Sequence, residues 1–90
     1  MGMTYQVKFL PEAVADISWL DKVIAQRILT KIRWLSENFD NLTPEVLTGE
    51  WKGLFKLRVG SYRVVYTVSQ KDQLITVHLI GYRRDIYKVR

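Results

Sequence analysis

Residues 53–81 read GLFKLRVGSYRVVYTVSQKDQLITVHLIG, and this stretch limits the fold more than any other. Apolar residues recur at every second position, rich in Val, Leu, Ile, Tyr and Phe, as in strands with one face buried. Two turn signals interrupt the alternation. Gly60-Ser61 is a two-residue hairpin turn with Gly at its first position, and the polar run 70–73 is a second. The stretch therefore predicts an antiparallel meander of three strands over 53–59, 62–69 and 74–81.

The preceding half supplies what the meander packs against. Residues 4–10 (TYQVKFL) alternate well enough to form a strand, and Pro11 suits the first turn of a helix. Val14, Ile17 and Leu20 make a short apolar stripe on that helix. Asp21 is a cap for a second helix, whose Ile24, Ile28, Ile32, Leu35 and Phe39 recur at spacings of four and three. Asp40-Asn41 and Pro44 end it, leaving 40–53 as a connecting loop, and 85–89 is a further edge segment. The expected class is α+β: an N-terminal strand, a helical hairpin, then an antiparallel meander with the helices on one sheet face. One domain spans 1–90, with Met1-Gly2 read as a cloning remnant. The chain's 48% apolar share is enough for a core.

Composition excludes several function classes. There is no cysteine, so neither disulfides nor thiolate metal sites can form. One histidine and scattered carboxylates offer no metal-ligand spacing, and no phosphate loop or nucleophile turn is present. We therefore expect no metal and no cofactor. No apolar run approaches the roughly 18 residues that cross a bilayer, and the N-terminus lacks signal-peptide order. The expected compartment is the cytoplasm, with no membrane partner.

Charge carries the functional signal. Residues 1–50 hold five basic residues against seven acidic, while residues 51–90 hold nine against two, within a net charge of +5. Such segregation favours a polyanionic partner, nucleic acid ahead of membrane. Period two puts Lys56 and Arg58 opposite Phe55, Leu57 and Val59, so the cations project from the face without helices. Arg63 and, past the last strand, Arg83 and Arg84 join them in one basic patch, with Tyr87 close behind.

Such a set is competent for one reaction. RNA carries its own nucleophile, the 2′-hydroxyl beside the scissile phosphate. A protein need only align it, remove its proton, neutralise charge and protonate the leaving 5′-oxygen. Arginines match phosphate oxygens bidentately, and a lysine among cations can serve as base. His78, Tyr62 and Tyr66 read as packing residues, and isolated surface lysines as solvated charges.

"LRVGSYRVVY" followed by "G-x-R-x-x-x-Y" resembles the RelE/ParE toxin superfamily of toxin–antitoxin systems, and its RelE branch more closely. The resemblance covers most of the chain. It implies a small microbial-ribonuclease-like fold and a metal-independent mRNA interferase that cuts message in the ribosomal A site by 2′-hydroxyl attack. It further implies a cognate antitoxin bound in a hetero-oligomer. Carried over by position, Lys56 is the proposed base and Arg58 its phosphate-binding partner. Arg63 contacts phosphate, Arg83 stabilises the transition state or leaving group, and Tyr87 stacks or handles a proton. Lys52, Tyr82 and Arg84 are expected substrate contacts. Tyr82 departs from the His or Lys of many relatives, and the sequence stops at Arg90 without a long terminal helix.

Two other functions share the fold. A ParE-like gyrase inhibitor would not need this cationic and tyrosyl set. An inactive RNA- or antitoxin-binding module would have no reason to keep it.

Overall fold

The computed structural model describes residues 4–82. In chain order it contains β1 (Gln6–Phe9), α1 (Pro11–Ser18), α2 (Lys22–Asn38), β2 (Glu45–Val46), β3 (Phe55–Val59), β4 (Tyr62–Ser69) and β5 (Leu74–Tyr82). These form a five-stranded sheet in the order β1-β5-β4-β3-β2. The meander β3-β4-β5 is antiparallel, and β1 lies parallel to β5 on its outer side. Parallel neighbours need a long crossover, and the chain between β1 and β5 includes both helices and the rest of the sheet. The expected α+β class is what the chain forms. None of its described helices is long and apolar enough to cross a membrane.

Both helices cover one sheet face. Ile28 and Ile32 of α2 and Ala13 of α1 pack on Val59, Val64, Val77 and Ile80. Further along, Leu35 and Phe39 meet Tyr5, Tyr66 and Ile75. The α2 stripe read from the sequence is therefore the core seam. On α1 the expected stripe shifts by one residue, because Ala13 is fully buried while Val14 is 52% exposed. Ile17 and Leu20 still pack inward. Asp21 occupies the N-cap position of α2 but makes no side-chain capping bond. Asp16 does more: its Oδ2 accepts the backbone N–H of Ile80 at 3.0 Å, tying α1 to β5.

That bond follows from an irregularity in β5. Val65 pairs with Leu79 and Tyr66 with Val77, so His78 is an extra residue in the ladder. The bulge resets the alternation. Val77 and Ile80 both reach the helix-side core, while Leu79 turns to the opposite face. His78 Nε2 lies 2.9 Å from Thr67 Oγ1, a packed histidine with a hydroxyl partner.

The connection expected over 40–53 is more ordered than a loop. It holds two short 3-10 turns, Phe39–Asn41 and Gly49–Trp51, and the two-residue strand β2. Pro44 precedes β2, where a missing N–H costs nothing on an edge strand. Leu47, Trp51 and Leu54 then pack over Val65 and Leu79 on the sheet face away from the helices.

Candidate functional site

Phe55, Leu57 and Val59 of β3 enter the two cores beneath the helices. Lys56 and Arg58 must then project from the other face, because successive side chains alternate. On β4, Tyr62 and Val64 pack with the helices, which puts Arg63 on the same face as Lys56 and Arg58. The register sets Arg58 directly opposite Arg63. Like charges directly opposite destabilise a strand pair, so the pairing is a cost that the fold must offset. Beyond Arg63, the partner on β5 is Gly81, which adds no side chain to that side of the site.

The cations differ in environment. Arg63 is only 9% exposed. The Lys56 side chain is 19% exposed and that of Arg58 59%. Between the latter two stands a residue that the sequence reading overlooked. Glu45 pairs in register with Lys56 across β2 and β3. Its Oε2 lies 3.2 Å from Arg58 Nη2 and 3.9 Å from Lys56 Nζ. Lys56 therefore faces a carboxylate as well as cations, and the expected purely cationic surroundings are corrected. The missed signal was Pro44 followed by Glu45-Val46-Leu47, a short edge strand hidden in a stretch read as loop.

Nor is the face open throughout. Its far end lies beneath Leu47, Trp51 and Leu54, so the cations border an apolar cap. A cavity of about 240 Å³ reaches around the β2–β3 edge, lined by Glu45, Lys56, Arg58 and Tyr66 with Lys31 and Trp34 of α2. Burial, with a smaller push from the Glu45 charge, raises the Tyr66 phenol to about 12. Tyr66 is a core residue with its ring 5.6 Å from that of Phe55, in keeping with the packing role expected for it.

Two expected substrate contacts fall elsewhere. Tyr82 pairs with Tyr62, and their rings meet edge to face at 5.2 Å. Tyr62 belongs to the helix side, so alternation that puts Arg63 and Gly81 on the cationic face puts Tyr82 on the opposite one. Tyr82 lines a separate cavity of about 220 Å³ with Ile24, Arg27 and Ser61. Lys52 is exposed, just after the 3-10 turn Gly49–Trp51, and is absent from the cavity lining around Lys56. Arg83, Arg84 and Tyr87 lie outside the described residues, as does the segment 85–89.

Residues 7–87 match the model of a family described as the ParE toxin of type II toxin–antitoxin systems, parDE. A protein of Escherichia coli described as a RelE-like toxin is 31% identical over 94 residues, covering 97% of this chain and 94% of its own length. Among solved structures, the toxin–antitoxin complex RelBE2 of Mycobacterium tuberculosis aligns with a TM-score of 0.82 at 23% identity, covering 94% of this chain and 98% of that one. The archaeal RelE–RelB complex of Pyrococcus horikoshii aligns at 0.71 with 28% identity, over 92% of this chain and 99% of that one.

Proposed function

This chain belongs to the ParE toxin family of type II toxin–antitoxin systems, and we propose that it is a RelE-type endoribonuclease that cuts mRNA on the ribosome. The observation that carries this reading is the cluster Lys56, Arg58 and Arg63 on one sheet face, with the Glu45 carboxylate set between Lys56 and Arg58. A carboxylate held by two cations marks ground where an anion is stable, and an RNA phosphate carries the same charge in a larger frame.

The reaction needs no group that the chain lacks. The 2′-oxygen attacks the adjacent phosphorus in line, its proton passing to a base. The bond from phosphorus to the 5′-oxygen breaks, and that oxygen takes up a proton. The products are a 2′,3′-cyclic phosphate and a 5′-hydroxyl. Lys56, Arg58 and Arg63 bind the phosphate and offset the charge that builds on its oxygens. Glu45, set between Lys56 and Arg58, is the base in this reading. Lys56 remains the base if Glu45 swings aside when RNA enters. Arg83 and Tyr87, assigned through the family resemblance, serve the leaving group and the stacked base.

The Mycobacterium structure is a toxin–antitoxin complex and the Pyrococcus one a RelE–RelB complex, and a cognate antitoxin is the partner we propose here. It would cover the cationic face with an acidic segment that orders on binding. The site of action is then the cytoplasm, where the ribosomes are.

Primer extension on a defined mRNA, with and without programmed ribosomes, tests the reading. Cuts at the A-site codon that require ribosomes are expected. Cutting of free RNA would remove the ribosome as an obligatory partner. The family match itself favours a second reading, a ParE-like gyrase poison. Broken DNA with intact message in intoxicated cells would select it.

A further inference from the structure

β2 pairs with β3 only at Phe55 and Lys56, so residues 57–59 form a free edge on that side among the described residues. α2 runs beside this edge, and the two enclose a trough of about 560 Å³ lined by Arg27, Thr30, Lys31, Trp34, Arg58, Val59 and Gly60. The helical residues recur at spacings of three and four, one face next to the buried Ile28-Ile32-Leu35 seam. Among the described residues that line it, three are cations and none is acidic. Trp34 is held by Lys31, whose Nζ lies 3.9 Å from the ring centroid, and it is still 38% exposed. Lys31, Trp34 and Arg58 also line the cavity that contains Glu45 and Lys56. The trough is therefore continuous with the cationic face, and two of its cations come from the half of the chain that is net acidic.

We propose that this trough binds the single-stranded RNA that flanks the scissile phosphate, with Arg27 and Lys31 on the phosphates next to the one held at Arg58 and Trp34 against a base. A cationic groove with an exposed aromatic ring is how proteins hold single strands without reading sequence. The inference rests on the nuclease reading for what lies at Lys56, and assigns the path of the strand away from it. An acidic protein segment would satisfy the cations equally; the exposed Trp34 ring beside them is the feature that favours RNA.

The test is fluorescence anisotropy with a short 2′-O-methyl oligoribonucleotide, which lacks the attacking hydroxyl, titrated over a range of salt. Arg27→Gln and Lys31→Ala should each lower the slope of log affinity against log salt by about 0.7, the share of one single-strand phosphate. Trp34→Ala should weaken binding by about tenfold or more with the slope unchanged. Circular dichroism establishes that each variant is folded. Wild-type behaviour in all three variants, or no oligonucleotide binding by the wild type, overturns the proposal. Loss of poly-glutamate binding with RNA binding intact would overturn it in favour of an acidic protein segment. Message cleavage on programmed ribosomes, run in parallel, separates the two readings. Cleavage without any effect of the variants sinks the trough alone, and trough binding without cleavage sinks the nuclease alone.

Discussion

Replacing Glu45 by Gln removes one negative charge from between two positive ones and changes almost nothing in shape. Its ion pairs run at 3.2 and 3.9 Å, the second near the limit for such a pair, and the carboxylate is 47% exposed. Exposed pairs contribute about 0–1 kcal/mol each, so the stability loss should stay near 1 kcal/mol, readable as a small shift in urea midpoint. Binding should move the other way. With Glu45 neutral, Lys56 and Arg58 no longer share their charge with an internal anion. An uncleavable oligonucleotide should then bind more tightly, with a salt slope steeper by up to about 0.7. Cleavage should fall, by roughly 10²-fold or more, if Glu45 accepts the 2′-hydroxyl proton. Tighter binding with slower cutting is a combination that damage to the fold cannot produce. Weaker binding would refute the idea that the carboxylate competes with phosphate. Undiminished cleavage would return the base to Lys56.

Other perturbations address the scaffold. Burial keeps Tyr66 neutral up to about pH 12 in the folded chain, whereas an unfolded tyrosine ionises near 10. The folded state thus retains the proton longer, and this share of stability is complete below pH 10 and lost between about pH 10 and 12. Urea midpoints at pH 9 and 11.5 should fall further apart in the wild type than in Tyr66→Phe; equal falls would refute burial as the cause. Asp16→Ala leaves the Ile80 N–H without its carboxylate, and a loss of about 1–3 kcal/mol is expected in denaturant titration. Faster hydrogen exchange at the Ile80 amide should accompany it, and an unchanged exchange rate would argue against the bond. Gly60 turns the β3–β4 hairpin at φ +61° with open space around it. Gly60→Ala should therefore cost about 1 kcal/mol through backbone strain alone, and a neutral result would refute that account.

The strands of the meander were legible because period-two alternation and turn chemistry are local. Tyr62–Ser69 begins and ends where Gly60-Ser61 and the run 70–73 put its limits. The face assignment of Lys56 and Arg58 followed from the same period. What could not be read depends on contacts between distant residues. Val14 against Ala13 is decided by how closely α1 approaches β5, and local hydrophobicity favoured the wrong one. The bulge at His78 exists only in relation to β4, yet it decides that Ile80 and not Leu79 enters the main core. Tyr82 was expected as a substrate contact, and alternation puts it on the face opposite the cations, beside Tyr62. Glu45 stayed invisible because two residues of edge strand leave no period to detect.

The parallel pairing of β1 with β5 has a consequence for how the molecule comes into being. Gln6 meets Leu74 and Phe9 meets Val77, so the first strand made must wait for the last described strand before it can dock. Non-local pairing of this kind slows folding, because a long loop must close before any contact repays its entropy. A nascent chain emerging from the ribosome holds Lys56, Arg58 and Arg63 well before β5 exists to complete the sheet that aligns them. Synthesis thus completes the cationic hairpin before it supplies the strand that joins β1 to the sheet.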